Sequence, residues 1–460
     1  MATRDRYVDA LRVGSLVVVI VGHWLMADVG PRGEVGNALV SAPAMQLLTW
    51  VLQVMPLFFL VGGVAHAHAL ASLDRRGVTG PGRYAAFVGA RTTRLLRPTL
   101  ALIGVWIGVA LIVRATGAAE GPDGPLVLTA LRLVTQPLWF VGIYLGVAAL
   151  APAMMRAHRR WGAWVVVGLA AGVVVVDLLR FAAGLGMLAT LNFALVWLAL
   201  HQLGFCWYSG LLSRPVATRL AAGAAVVLVG CVAFGPYPVS MVGLPGGEIS
   251  NMAPPTAALL AQGVALAAVA VLLRDPVTQL LARPRVWSGV MAVGAVAMTA
   301  FLWHLTALFV AVLALRRLDV DQPEALSPTW WLTRPLWLAV LAGLTVGLVA
   351  VFRRFDPIRR PAAHPPVERA DLWAALGGAL AVLGVLMVSV TGVDLVGSAA
   401  VRFVVLDVTP GTAIVVLAAG LGVPALALAM ARRPMSHTRP VDIGRPQTPT
   451  TVGACPCTRA

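Results

Sequence analysis

Long apolar segments follow one another along most of the chain, and clusters of arginine, proline and glycine separate them. A helix needs about 20 apolar residues to cross the roughly 30 Å hydrocarbon core of a bilayer. The pattern therefore predicts an all-α, polytopic integral membrane protein with about 12 transmembrane helices. The predicted helices are 10–28, 44–72, 98–116, 126–152, 162–180, 188–212, 217–235, 255–273, 288–314, 331–352, 371–393 and 408–431.

The composition agrees with this pattern. Of the 460 residues, 59% are hydrophobic and only 12% are charged, and the mean hydropathy is +0.86. Because soluble domains carry about 25% charged residues, these values exclude an ordinary soluble protein. The net charge of +16 comes entirely from arginine, since the sequence contains no lysine. We expect the lipid bilayer as a partner and no nucleic acid.

The positions of the arginines predict the orientation. Twenty-seven of the 35 fall in the N-terminal segment, the C-terminal tail and every second connection between the predicted helices. Short cytoplasmic loops are enriched in arginine and lysine relative to loops on the other side. We therefore predict a multi-pass protein of the plasma (cytoplasmic) membrane with both termini in the cytoplasm.

The chain divides into three parts. Residues 1–355 hold about ten of the predicted helices and form the predicted membrane core. Residues 356–432 comprise a cytoplasmic linker and two additional transmembrane helices. Residues 433–460 are polar and repeat proline and threonine, a composition that predicts a disordered cytoplasmic tail.

The first apolar segment carries an unusual set of polar residues. Asp9 and Arg12 stand one turn apart at its beginning, and His23 lies eleven residues beyond Arg12. On a helix this spacing places Arg12 and His23 within about 20° of each other and roughly 16 Å apart. If Arg12 lies at one membrane surface, His23 lies near the midplane, where a polar group by default marks a functional site.

Three further arginines, Arg91, Arg94 and Arg97, precede the third predicted span at intervals of three. On a helix they form a curved ribbon, because successive members are turned by about 60°. Arginine is suited to bidentate contact with phosphate. The spacing alone leaves two interpretations open: a site for a phosphate-bearing ligand, or a determinant of topology that contacts anionic lipid headgroups.

Four other histidines fall within predicted spans: His66, His68, His201 and His304. His66 and His68 are two residues apart and point to opposite sides of a helix, so they do not form a metal pair. We interpret both as packed interhelical contacts, the more frequent role of such a histidine. His201 opens a short polar patch. We predict no metal site, because zinc needs several ligands at helical spacing and no such motif is present.

These residues resemble the motifs of the integral membrane acyltransferases of type 3, the acyltransferase 3 family. The first helix of that family carries an acid, then an arginine, ten residues and a histidine, which match Asp9, Arg12 and His23. Its second helix carries Phe-Phe-x-x-Ser-Gly. Here residues 58–63 read Phe-Phe-Leu-Val-Gly-Gly, with Gly62 in place of the serine.

Three more motifs fit the same family. Arg91 and Arg94 match its Arg-x-x-Arg, residues 138–140 match Leu-Trp-Phe, and residues 302–304 match Leu-Trp-His. The resemblance covers roughly residues 5–355, which is ten helices. The last two predicted helices and the tail lie beyond it.

The resemblance implies acyl transfer from a cytoplasmic acyl-CoA, with acetyl-CoA as the expected donor, to a hydroxyl of a carbohydrate or another small or lipid-linked acceptor. His23 is implied to be the general base or the carrier of the acyl group, supported by Arg12 and Asp9. The acceptor is frequently outside the cell in this family, which leaves room for a separate extracytoplasmic partner.

The remaining candidates divide between donor and acceptor. The donor carries several phosphate charges, for which Arg91, Arg94 and Arg97 are the expected binding residues. The candidates for acceptor binding are His304, Trp303 and His201.

A transporter or lipid flippase without covalent chemistry is the alternative. Such a protein would use the same histidines and arginines as a proton or anion path. Proton-coupled carriers usually place carboxylates inside the membrane, and the predicted spans have almost none. An enzyme needs Arg91 and Arg94 for its donor, whereas a transporter is expected to tolerate their loss.

Overall fold

The computed structural model describes residues 5–29, 35–355, 369–397 and 399–431, so the predicted tail and most of the predicted linker lie outside it. Within these ranges α-helix dominates, and the sheet structure consists of two short antiparallel hairpins. The helices are α1 (Arg6–Met26), α2 (Thr49–Leu52), α3 (Met55–Arg75), α4 (Arg83–Ala115), α5 (Gly124–Leu133), α6 (Leu138–Trp161), α7 (Trp164–Phe181), α8 (Asn192–Tyr208), α9 (Arg214–Phe234), α10 (Ala257–Leu272), α11 (Arg274–Leu281), α12 (Pro284–Arg317), α13 (Pro328–Phe352), α14 (Ala370–Thr391) and α15 (Pro410–Ala431). The hairpins pair β1 (Ala27–Val29) with β2 (Val35–Asn37) and β3 (Val401–Phe403) with β4 (Leu406–Val408).

Every predicted span contains a helix, and the predicted all-α polytopic fold is confirmed. Among the described residues, ten helical segments are long and apolar enough to cross a bilayer. Helix α10 has only 16 residues, and α11 follows it at an angle of 57°. The apolar part of α15 with described side chains, Pro410–Pro424, is also shorter than a usual span. The predicted number of twelve spans is reached only when the bent pair α10–α11 and the helix α15 are each counted as one span.

Helix α4 begins well before its apolar segment. We expected a span over 98–116 after a basic loop, whereas α4 is one helix of 33 residues. Its first half is rich in alanine, leucine and arginine, which are strong helix formers, and Phe87 and Leu96 are buried against the bundle. At 1.5 Å per residue, α4 is about 50 Å long and exceeds the roughly 30 Å core. The arginine ribbon therefore lies within the first half of a continuous helix.

The crossing of α3 and α8 depends on two glycines. A Cβ atom at Gly63 would lie 2.1 Å from the carbonyl oxygen of His201, and one at Gly204 would lie 2.1 Å from that of Leu60. No side chain fits at either position, so glycine alone allows the two backbones to approach this closely. The contact brings His66 of α3 beside His201 of α8.

The two C-terminal helices pack on the rest of the bundle. Helix α14 lies against α4 and α6, and α15 lies against α14. Small residues make the second contact close, because a Cβ atom at Gly384 or Gly420 would overlap the facing backbone. An ion pair between Arg114 and Asp394 joins the end of α4 to the segment after α14. Both helices are therefore part of the same packed structure as the predicted core.

Candidate active site

Two histidines from distant parts of the sequence face each other inside the bundle. His23 lies near the end of α1 and His304 lies in α12, with His23 Nδ1 2.8 Å from His304 Nε2. The rings are nearly parallel, with an interplanar angle of 10° and centroids 5.0 Å apart. His304 is fully buried, whereas His23 is only partly buried. The predicted catalytic histidine thus has a second histidine directly behind it.

The neighbours of this pair determine which nitrogen atoms carry hydrogen. His304 Nδ1 contacts the backbone carbonyl of Phe301, which can only accept, so His304 Nδ1 donates. In a neutral ring the other nitrogen then has the free lone pair, and His304 Nε2 accepts from His23 Nδ1. Because Nδ1 of His23 carries the hydrogen, the free lone pair of a neutral His23 ring is on Nε2. A lone pair on a positioned imidazole is what a general base or a nucleophile requires.

Two tryptophans fix the helices that carry the pair. Trp24 Nε1 donates to the carbonyl of His304 at 3.1 Å, and Trp337 Nε1 of α13 donates to the carbonyl of Trp24 at 3.3 Å. Both tryptophans are buried. Helices α1, α12 and α13 are therefore held in register at the depth of His23.

Asp9 and Arg12 form an ion pair, with a distance of 3.2 Å between Arg12 Nη2 and Asp9 Oδ1. Helix α1 continues without a break from Arg6 to Met26, so its rise keeps Arg12 roughly 16 Å from His23. The ion pair and the histidine pair thus occupy different depths of the bundle, and Arg12 does not contact His23.

The three arginines of α4 have different surroundings. Arg91 turns inward: its guanidinium carbon lies 3.6 Å from the centre of the Phe87 ring, and its Nη1 donates to the carbonyl of Phe87 at 2.6 Å. The Nε atom of Arg91 is buried without a hydrogen-bond partner. Arg94 and Arg97 are exposed. The expected ribbon therefore has one inward member and two outward members.

A second polar cluster lies between α3, α6 and α8. His66 Nδ1 is 2.9 Å from His201 Nε2, and the Tyr144 hydroxyl is 3.5 Å from His66 Nε2. His66 and His201 are both buried. The interhelical role predicted for His66 is confirmed, and His68 packs edge-on against Tyr208.

The phenylalanine rings of Phe140 and Phe301 separate the two histidine pairs. Phe301 stacks on His304, Phe140 meets Phe301 edge-on at 5.5 Å, and Phe140 in turn contacts Tyr144. His201 was grouped with His304 as an acceptor candidate on sequence grounds, but the structure places it in the other cluster. Trp303 is also apart from the His23 pair, since it is buried and stacks on Phe352 of α13 at 3.8 Å.

Tyr144 fills the space at the position where the resemblance expects a serine. A Cβ atom at Gly62 would lie 2.9 Å from Tyr144 Cε2 and 3.3 Å from its hydroxyl oxygen. The sequence motif drew attention to Gly62, but no pattern within α6 points to a partner 82 residues away. Tyr144 was for this reason absent from the predicted site.

The fold and these clusters define a polytopic membrane protein with a candidate base inside its helical bundle. In the part of the chain that the structure describes, no group of three His, Cys, Asp or Glu side chains is placed to hold a metal ion. The family model for acyltransferase 3, described as an acyltransferase domain, matches residues 5–354. The chain therefore belongs to this family and is a membrane acyltransferase. No curated protein and no solved structure matches it.

Proposed function

We propose that the protein is an O-acyltransferase that moves an acyl group, expected to be acetyl, from cytoplasmic acyl-CoA to a hydroxyl of a carbohydrate or another small or lipid-linked acceptor. The observation that carries this proposal is the hydrogen-bond chain from Phe301 through His304 to His23. This chain leaves the lone pair of His23 Nε2 available in a partly accessible position.

The chemistry at His23 balances without a further reactant. His23 Nε2 takes the proton of the acceptor hydroxyl while the oxygen attacks the thioester carbonyl. The carbon–sulfur bond then breaks, and CoA leaves as a thiolate that takes up the proton held by His23. His304 Nε2 accepts from His23 Nδ1 and supports the positive charge that forms on the imidazole. A positioned general base is typically worth 10²–10⁴-fold in rate.

The same lone pair also suits a two-step route. In that route His23 Nε2 attacks the thioester carbonyl, the carbon–sulfur bond breaks and CoA leaves as a thiolate. The acylated imidazolium then passes the group to the acceptor oxygen, and the proton of the acceptor hydroxyl neutralises the thiolate. The family expectation of a cytoplasmic donor and an acceptor on the far side favours this variant, since a carrier can face each in turn.

The arginine end of the bundle, defined by Arg12, Arg91, Arg94 and Arg97, is the proposed binding region for the phosphates of acyl-CoA. The positive-inside rule predicts that this end faces the cytoplasm, where the donor is available. Arg91 has a buried Nε without a partner, and the other two arginines of α4 are exposed to solvent or headgroups. The Asp9–Arg12 ion pair holds Arg12 at the same end.

Family membership favours the enzyme over the alternative transporter or flippase. The role that we propose for His304 also changes, from binding the acceptor to orienting and supporting His23. The plasma membrane and cytoplasmic termini are proposed on the arginine distribution alone.

Release of free CoA thiol tests this function. Purified protein is supplied with acetyl-CoA and a panel of carbohydrate and other hydroxylated acceptors, and His23→Ala is compared with the wild type. We expect acceptor-dependent thiol release that His23→Ala abolishes and that a control, His68→Ala, retains. Undiminished release by a folded His23→Ala variant would contradict the proposed base.

A further inference from the structure

The hydroxyl of Tyr144 belongs to the second polar cluster, and aromatic rings surround the rest of its side chain. Its ring contacts Phe58 and Phe140, with centroids 5.3 Å and 6.0 Å away, and lies 5.6 Å from the ring of His66. Tyr144 is only partly buried, so the surrounding helices do not enclose it completely.

The arginine end lies close to this hydroxyl. The Tyr144 hydroxyl is 3.5 Å from His66 Nε2, and the ring of His66 meets that of Phe87 edge-on with centroids 5.7 Å apart. The guanidinium carbon of Arg91 lies 3.6 Å from the centre of the same Phe87 ring. Tyr144 thus lies where the proposed phosphate-binding region meets the apolar interior.

The hydrogen bonds of the cluster leave the Tyr144 hydrogen available. His201 Nδ1 is buried without a partner. Buried N–H groups without a partner are rarer than buried acceptors without one, so His201 Nδ1 carries the lone pair and Nε2 donates to His66 Nδ1. His66 Nε2 then carries hydrogen and donates to the Tyr144 oxygen, and the Tyr144 O–H is free to donate to a ligand.

We propose that Tyr144 is a binding residue for the acyl donor, and that its hydroxyl donates a hydrogen bond to a carbonyl oxygen of the uncharged thioester arm. This inference rests on the proposed function, because it takes acyl-CoA as the donor. Phenylalanine rings beside Tyr144 suit the uncharged arm, whereas the arginines suit the phosphates. The absence of a side chain at Gly62 provides the space in which Tyr144 lies.

Calorimetric titration with two ligands tests this role. Acetyl-CoA contains both phosphates and arm, whereas adenosine 3′,5′-bisphosphate contains phosphates without the arm. For Tyr144→Phe we expect the dissociation constant of acetyl-CoA to rise about threefold to tenfold, the effect of one lost neutral hydrogen bond. The dissociation constant of the bisphosphate is expected to stay unchanged, as are both constants in the control Tyr208→Phe.

Kinetics separate binding from a merely structural role. For Tyr144→Phe, KM for the donor rises while KM for the acceptor and the melting temperature stay at the wild-type values. Gly62→Ala, which displaces the Tyr144 ring, is expected to weaken donor binding by a similar factor. The double variant is expected to bind the donor no more weakly than either single variant.

The outcomes distinguish the two proposals. If the wild type binds no acyl-CoA, the proposed function fails at its donor. If the wild type binds acetyl-CoA and Tyr144→Phe binds each of the two ligands as tightly as the wild type does, only the role of Tyr144 is overturned. A loss of bisphosphate binding equal to that of acetyl-CoA would also overturn it, because the contact would then be to the phosphates.

Discussion

At the level of single residues, His304 is the clearest case in which the proposed role differs from the sequence expectation. Its sequence motif placed it among acceptor candidates, whereas its ring contacts His23 and is fully buried. We therefore propose that His304 orients His23 and supports its charge without contacting the acceptor.

Substitution of His304 separates the two roles by kinetics. In His304→Ala, His23 loses the acceptor for its Nδ1–H, so we expect kcat to fall while KM for the acceptor stays near the wild-type value. One lost buried hydrogen bond corresponds to roughly tenfold. A rise in acceptor KM with unchanged kcat would instead support the original assignment to acceptor binding.

The sequence was informative at this scale only where the relevant residues share a helix. Helical spacing places Asp9 one turn from Arg12 and His23 roughly 16 Å from Arg12, and Asp9 and Arg12 form an ion pair in the structure. The contacts of His23 with His304, 281 residues away, and of Gly62 with Tyr144 depend on how helices pack. Spacing along one segment carries no information about such contacts.

At the level of elements, the α3–α8 crossing places His66 beside His201 and so determines the geometry of the second polar cluster. The motif over residues 58–63 contains two glycines with different functions in packing. Gly62 leaves space for the ring of Tyr144, and Gly63 allows the backbones of α3 and α8 to come into contact. The sequence predicted the positions of α3 and α8, but it did not predict that these two helices cross.

Gly63→Ala tests this crossing. A methyl group would lie 2.1 Å from the carbonyl oxygen of His201, which belongs to the backbone and cannot move aside cheaply. We expect a loss of about 1–3 kcal/mol in the free energy of unfolding, as for other overpacked sites. Unfolding in detergent, followed by circular dichroism, measures the change.

Gly14→Ala is the matched control, because a Cβ atom at Gly14 of α1 meets nothing within 4 Å. Alanine is a better helix former than glycine, so this variant should be as stable as the wild type or slightly more stable. Equal stability of Gly63→Ala and Gly14→Ala would contradict the close crossing.

At the level of the whole molecule, ion pairs join distant helices at the ends of the bundle. Asp123, just before α5, accepts from Arg316 and Arg317 at the end of α12. The hydrogen bond from Arg317 lowers the pKa of the Asp123 carboxyl below its ordinary value; burial opposes this shift, and the hydrogen bond from Arg316 adds to it.

The lowered pKa predicts the pH range in which this link stabilises the fold. Its contribution is fully present above the unfolded-state pKa of about 3.9 and is lost as pH falls through the lower folded-state value. We expect Asp123→Asn to melt at a lower temperature than the wild type at pH 7, with the difference shrinking below about pH 4. Asp407→Asn, which affects an exposed pair with Arg402, is the control. A difference in melting temperature that is independent of pH would contradict this account.

The packing position of the two C-terminal helices could not be predicted from the family match or from the sequence pattern. The family match ends at residue 354, yet α14 packs directly on α4 and α6. Their apolar length was predictable from hydropathy. Their docking site depends on close contacts at glycines such as Gly384 and on the Arg114–Asp394 pair, which connect segments far apart in the chain.

The central claim is that the arginine end binds acyl-CoA while His23 acts on the acyl group. Calorimetric titration of acetyl-CoA into the purified wild type, His23→Ala and Arg91→Ala/Arg94→Ala tests it most directly, with Arg75→Ala/Arg76→Ala as a charge-matched control. We predict that the wild type, His23→Ala and the control bind alike and that the Arg91/Arg94 variant binds at least tenfold more weakly. Binding by none of the four proteins, or equal binding by all of them, would contradict the claim.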